Sequence, residues 1–297
     1  MTTPLQLREL ISRQDGPILL PGAPNALTAR VIEQAGFEAV YVSGAGLTNT
    51  YLGMPDLGLL SVTELVAHVA AMADAVSIPL VVDADTGFGN ALNVQRTVRQ
   101  LERAGASALQ LEDQVSPKKC GHFAGKGVIS QDEMVGKVRA AVDARLDENM
   151  LIIARTDALS TEGLEAACDR AAAYSEAGAD ILFVEAPRTR EQMEYIIRNV
   201  PGLHLANMVE GGLTPLMTRS ELGELGFSVA LYANAAMRGA VAGMRQVMDH
   251  LAEHGDTKDA AHLMIDWADR QALVRKPEFD ELDRRYAADV PVTGGVA

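Results

Sequence analysis

Residues 80–112 read LVVDADTGFGNALNVQRTVRQLERAGASALQLE, and this stretch contains the unit from which the whole chain is built. It opens on Leu80–Asp83, a short apolar run without polar alternation, as expected of a parallel strand buried on both faces. Val94, Val98 and Leu101 then recur at the spacing of one helical face. Ala104-Gly105 ends that helix, the glycine taking a left-handed conformation at no steric cost. A second apolar run, Ala108–Glu112, follows at once.

The same alternation extends in both directions. Ile18–Leu20, Ala39–Ser43, Leu151–Ala154, Ile181–Val184, His204–Asn207 and Val229–Tyr232 bring the predicted strands to eight. Between them, capping boxes mark helix starts at Ser61/Glu64, Ser130/Glu133, Thr189/Gln192 and Thr218/Glu221. The pairs Ala35-Gly36 and Ala177-Gly178 mark helix ends, and Val241, Met244, Met248 and Leu251 form another apolar face. Eight such units predict an α/β fold, the (β/α)₈ TIM barrel, which typically needs about 250 residues plus additions. An open doubly wound sheet would need fewer strands and a glycine-rich phosphate turn after the first. Pro21-Gly22-Ala23-Pro24 is no such turn. With no linker in sight, residues 1–255 are expected to form the barrel. Residues 256–297 are expected to form a C-terminal helical extension of the same domain, ending in a loose tail at 290–297.

Composition narrows the partners. The chain has 297 residues, 48% of them hydrophobic, and a formal charge of −14, which repels nucleic acid and anionic membrane surfaces alike. An anionic small molecule responds to local charge and is not excluded. The two cysteines, Cys120 and Cys168, are too few for a disulfide framework. The first residues lack the unbroken apolar core of an export signal, and no run reaches the roughly 18 apolar residues of a membrane span. A soluble cytoplasmic protein is expected.

In a barrel of this kind the active site lies at the C-terminal ends of the strands. Six successive predicted strands deliver polar groups there: Ser43-Gly44-Ala45, Asp83-Ala84-Asp85, Glu112-Asp113, Arg155-Thr156-Asp157, Glu185 and Asn207 with Glu210. Residues two apart on a strand share a face, so Asp83 and Asp85 are able to address one point. A neighbouring strand about 4.8 Å away brings Glu112 within reach. Three oxygen-only ligands suit a hard ion, Mg²⁺ or else Mn²⁺. The plainer reading is that these acids cap loops or pair with Arg155. Arg155 itself needs an anionic partner, either a neighbouring carboxylate or the substrate.

Residues 116–127, SPKKCGHFAGKG, form a basic glycine-rich loop in an acidic protein. Lysines beside Cys120 favour its thiolate, and such a loop is able to close over a bound anion. The alternative is a solvated loop with an incidental thiol. Cys168 reads as a small core residue, His204 as structural or solvent-facing, His68, His250 and His254 as surface groups, and Asp56 as a turn residue.

These motifs together resemble the isocitrate lyase / phosphoenolpyruvate mutase superfamily. Lys118-Lys-Cys-Gly-His122 with Gly125-Lys126 is similar to the signature loop of its lyase branch. Residues 83–89, 110–114, 154–158 and 207–215 match family blocks in order, over roughly 17–255. The length resembles the short methylisocitrate and dimethylmalate lyases. The resemblance implies that Asp85 binds Mg²⁺ directly while Asp83 and Glu112 hold its waters. It implies substrate binding by Ser43, Gly44, Ala45 and Gly121, and a grip on the 2-oxo-acid part by Arg155. Cys120 would donate or accept the proton, with Lys118 and His122 beside it, and Asp56 gains a catalytic role. Glu185, Asn207, Glu210 and Thr214 would line the far side. It also implies a homotetramer with an exchanged C-terminal helix.

The implied reaction is cleavage of a 2-hydroxy di- or tricarboxylate to pyruvate or glyoxylate plus a carboxylic acid. Val209-Glu-Gly-Gly212 looks more like the dimethylmalate lyase form, whereas Arg238 is similar to an arginine of methylisocitrate lyases. Oxaloacetate hydrolysis or decarboxylation is the second reading within the superfamily, and phosphonate chemistry a weaker one. From another class, a non-catalytic carboxylate-binding barrel would be favoured by loss of the gate cysteine or a metal acid. Both are present.

Overall fold

The computed structural model describes residues 3–13, 15–119, 121 and 125–287. Eight strands run parallel and close in sequence order: β1 (Ile18–Ala23), β2 (Val40–Val42), β3 (Leu80–Asp83), β4 (Ala106–Glu112), β5 (Leu151–Thr156), β6 (Ile181–Val184), β7 (Leu203–Asn207) and β8 (Val229–Tyr232). Helices alternate with them, so the predicted TIM barrel is the fold.

Local chemistry explains the helix borders. Ser61 and Thr218 make complete capping boxes with Glu64 and Glu221, each partner satisfying the other's free backbone N–H. Ser130 and Thr189 cap only one way, because Gln192 accepts instead from the Arg188 N–H. Gly36, Gly105 and Gly178 have φ of +87°, +105° and +103°, as the helix-ending pairs require.

The core lies in two shells. Val40, Val82, Leu109 and Ile152 face the helices, packing on residues such as Leu65, Val98 and Val138. Leu20, Tyr41, Val81, Ile153, Phe183 and Leu231 fill the barrel interior. The N-terminal helix Thr3–Ile11 adds Leu7, Leu10 and Ile11 to that interior cluster, stoppering the end where the strands begin. The sequence reading did not assign this helix. It also stopped β1 at Leu20, whereas the strand runs through Pro21 and Gly22. A Cβ on Gly22 would lie 1.9 Å from the Ala233 carbonyl oxygen, so a side chain there would wedge the chain away from the end of β8.

His204 is buried, with Nε2 2.7 Å from the Val200 carbonyl; of its two readings the structural one holds. Cys168 packs in the core, as expected.

The chain divides into two compact units, Met1–Gly239 and Ala240–Ala297. The second holds most of the helix Ala235–His254, in which no residue is buried, followed by helices Trp267–Leu273 and Lys276–Tyr286. The expected loose tail lies outside the described residues. Among the described residues, no helix is long and apolar enough to cross a membrane.

Candidate active site

A cavity of about 220 Å³ opens at the C-terminal ends of the strands. Ser43, Ala45, Asp56, Asp83, Glu112, Lys118, Gly121, Arg155, Glu185, Asn207 and Glu210, all singled out from the sequence, line it. Each sits at a strand end or in the loop beyond, where a parallel barrel presents side chains free of ladder pairing.

The acidic wall is built by β3 and β4. Asp83 accepts hydrogen bonds from the Gly44 N–H at 3.3 Å, from Gln110 Nε2 at 3.3 Å and from the Asp85 N–H at 3.2 Å. Asp85 adopts a left-handed φ of +48°, uncommon for a non-glycine residue and a mark of a conformation imposed by its surroundings. Its backbone carbonyl accepts from the Glu112 N–H at 2.9 Å, which ties the two strand ends together. Lys118 Nζ donates to Asp56 Oδ1 at 2.6 Å and stands 2.9 Å from Asp85 Oδ1.

Burial sets the electrostatics here. It pushes the Asp85 carboxyl up to about 6, with Lys118 opposing and Asp83 and Asp56 adding. Burial likewise raises Glu112, against the pull of Arg155 and Lys118. Burial disfavours the charge of Lys118, but Asp85, Glu112, Asp83 and Asp56 outweigh it and hold the ammonium firmly charged.

Arg155, at the end of β5, adjoins this acidic wall, in register with Glu112 on β4. Its Nε and Nη2 donate to Asp157 at 2.9 and 3.1 Å. Glu112 and Glu185 lie at 3.4 and 3.5 Å, and the guanidinium stands 5.1 Å above the Phe183 ring. Arg155 therefore meets the neighbouring carboxylates while still lining the cavity. Burial opposes ionisation of Asp157, but Arg155 and Lys126 outweigh it and draw its pKa down to about 2.

Four predicted residues stand elsewhere. Gly44 acts through its amide, and Asp85 is buried beside Lys118 without lining the cavity. Thr214 lines a small apolar cavity that shares only Asn207 with the main one. Arg238 is half exposed and donates to the carboxylate of Glu210, a lining residue, at 3.1 Å without itself lining the cavity. Cys120 and His122 lie outside the described residues. Lining residues missed in the sequence include Tyr41, Lys119 and Asn234. Tyr41 donates to Gln110 Oε1 at 2.9 Å, and Gln110 in turn supports Asp83. Both polar groups interrupt apolar strands at inward positions, and that interruption was the available signal.

The donor set fits a hard cation. Glu112 Oε1 is buried without a hydrogen-bond donor, Asp85 Oδ1 faces the Lys118 ammonium at 2.9 Å, and burial raises both carboxyls, so added positive charge would favour their ionised forms. Among the described residues no three His, Cys, Asp or Glu side chains gather closely enough to hold an ion by themselves. A direct three-carboxylate clamp is thus not formed. One direct ligand with waters bridging to the others remains the arrangement that suits Mg²⁺.

The raised Asp85 carboxyl makes stability depend on pH with a definite sign. An acid whose pKa rises on folding costs stability when it ionises. The cost is absent below the ordinary value of 3.8, grows up to about 6 and is complete above it. Asp85→Asn is expected to raise the Tm by several degrees at about pH 8 with metal chelated, and by nothing below the ordinary carboxyl range. Added Mg²⁺ should reverse the order by stabilising only the unsubstituted protein. A variant that melts lower under chelation at alkaline pH would contradict this account.

A closed parallel barrel with clustered buried acids, Lys118 and Arg155 at its C-terminal mouth defines an enzyme of the (β/α)₈ class. The chain belongs to the phosphoenolpyruvate phosphomutase family, whose model matches residues 7–252. It is 45% identical over 287 residues to 2,3-dimethylmalate lyase of Eubacterium barkeri, covering 97% of this chain and 99% of that one. It is 44% identical over 279 residues to 2-methylisocitrate lyase of Aeropyrum pernix, covering 94% and 89%. Among solved structures, 2,3-dimethylmalate lyase in its trigonal form superposes with a TM-score of 0.91 at 35% identity, over 100% of this chain and 99% of that one. Phosphonopyruvate hydrolase with oxalate and Mg²⁺ gives 0.87 at 31% identity, over 96% and 99%. The superfamily read from the loop and strand-end motifs is thereby borne out, and both curated relatives are lyases by name.

Proposed function

We propose that this chain is a Mg²⁺-dependent lyase that cleaves the C2–C3 bond of a 2-hydroxy dicarboxylate, releasing pyruvate or glyoxylate and a carboxylic acid. The observation that carries this reading is a small cavity lined together by the carboxylates of Asp83 and Glu112 and the guanidinium of Arg155 beside them. The relative with oxalate and Mg²⁺ shows a 2-oxo-acid mimic and this ion together in the same family of folds. Here Asp85, Asp83 and Glu112 would hold the ion, which supplies charge stabilisation at the C2 oxygen when bound.

The chain's own groups do the rest. Arg155 holds a substrate carboxylate, and the Ser43–Ala45 segment orients the end near the acidic wall. Asp56, in the cavity and bonded to Lys118, is the carboxylate placed to take the C2 hydroxyl proton. The C2–C3 electron pair then passes to C3, where the adjacent carboxylate delocalises it, and Cys120 returns a proton to C3. In sequence Cys120 lies between Lys119 and Gly121, which both line the cavity.

Two carboxylates are favoured over three. Among the described lining residues the cations are Lys118, Lys119 and Arg155, while the far side carries Glu185 and Glu210. Arg238, the residue similar to the arginine of methylisocitrate lyases, is committed to Glu210. A panel of 2-hydroxy di- and tricarboxylates with Mg²⁺, read by 2-oxo-acid release, should give the highest kcat/KM with a dicarboxylate. Faster turnover of a tricarboxylate would reject this specificity. Release of oxalate from oxaloacetate, with no hydroxy acid cleaved, would favour the hydrolase reading.

Self-association belongs to the same proposal. Met244, Met248, Trp267 and Phe279 are large apolar residues exposed on the C-terminal helices, a surface that a homotetramer would cover. Light scattering that returned a monomer mass would remove this part.

A further inference from the structure

Asp157 lies just beyond β5, outside the cavity lining, and is completely buried. Its carboxylate takes two N–H groups of Arg155, and its Oδ1 also accepts from Lys126 Nζ at 2.7 Å. Lys126 Nζ donates in addition to the Gly121 carbonyl oxygen. Gly121, in turn, packs directly on the arginine: a Cβ there would lie 2.3 Å from Arg155 Nη2 and 2.9 Å from Glu185 Cδ. Two lining elements, the guanidinium and the Gly121 backbone, thus meet each other and both trace back to one carboxylate.

Asp157 is itself fixed from below. Its N–H donates to Asp113 Oδ1 at 2.9 Å. The other oxygen of Asp113 accepts from Thr156 Oγ1 at 2.7 Å and Tyr174 OH at 2.8 Å, and Arg170 lies at 3.4 Å. A side chain held this firmly transmits position, because neither of its partners is able to shift without breaking a buried charged hydrogen bond.

We propose that Asp157 is a positioning residue that sets the orientation of Arg155 and, through Lys126, the placement of the Gly121 backbone above it, so that the two sides of the substrate-carboxylate seat are adjusted as one. This rests on the reading that Arg155 receives a substrate carboxylate. Residues acting through a shared group give non-additive effects when both are altered.

The test is a double-mutant cycle on the full chain with Mg²⁺, using Asp157→Asn, Lys126→Met and the pair. Each single change is expected to weaken oxalate binding by calorimetry and to raise substrate KM by about tenfold, with a smaller fall in kcat. Tryptic cleavage after Lys119 should speed up by about fivefold in both. The pair should be no worse than Asp157→Asn alone, within about twofold. Multiplying effects, or a Lys126→Met protein with unchanged oxalate affinity and cleavage, would overturn the proposal. Should Asp157→Asn fail to fold, a cycle of Lys126→Met and Arg155→Lys read by the rate of tryptic cleavage after Lys119 probes that carboxylate from both sides, and additivity there is equally fatal. If the unsubstituted enzyme cleaves no hydroxy acid, the lyase reading fails, while oxalate affinity and tryptic cleavage still decide this one.

Discussion

Arg155→Ala is expected to cost about 3–5 kcal/mol of stability, because removing one partner of a buried ionic group strands the others. For a chain of this size that is on the order of 10 °C in Tm. Asp157 would keep Lys126, but Glu112 would lose the largest influence opposing its burial. Turnover should vanish together with oxalate binding, since the same guanidinium lines the cavity. Arg155→Lys separates the two effects. It keeps the charge but not the two-pronged donor that meets Asp157, so stability should largely return while substrate affinity does not. Differential scanning calorimetry decides the matter. An alanine variant melting at the parental temperature would mean that the acids around Arg155 are satisfied without it.

Cys120→Ser should lower turnover by about 10²–10⁴-fold, the range typical of a lost proton-transfer group. The stabilisation given by Mg²⁺ with oxalate should persist, because a protonating thiol contributes little to holding a ground-state mimic. Cys168→Ser serves as the control. That thiol is buried in the helix Leu164–Glu176, and turnover should not change. Near-normal turnover in Cys120→Ser, measured by 2-oxo-acid release, would strike the thiol from the mechanism.

Much of this is legible in the sequence, for an identifiable reason. Parallel strands are apolar throughout, so the first charged residue after each run marks both the strand's end and the mouth of the barrel. Asp83, Glu112, Arg155 and Glu185 declare themselves in that way. Tyr41 and Gln110 did not, since an inward polar residue inside an apolar run becomes meaningful only with its partner, and theirs are on other strands. Asp113 and Asp157 are joined across a sequence separation of 44, which no local spacing reveals. Gly22 misled because proline and glycine argue against a strand, whereas here the missing side chain makes room for Ala233. Arg238 was placed by likeness alone, and its ion pair with Glu210 depends on how the loop after β7 meets the first turn of the helix Ala235–His254.

The stopper formed by Leu7, Leu10 and Ile11 has a kinetic corollary. With the floor sealed by hydrocarbon among the described residues, the lyase reading expects reactant and both products to share the mouth at the strand ends, so departure would be a queue. Whichever fragment rests deeper must wait for its neighbour to leave. Product-inhibition patterns would read that sequence of exits directly, the deeper fragment competing with the intact acid and the outer one not.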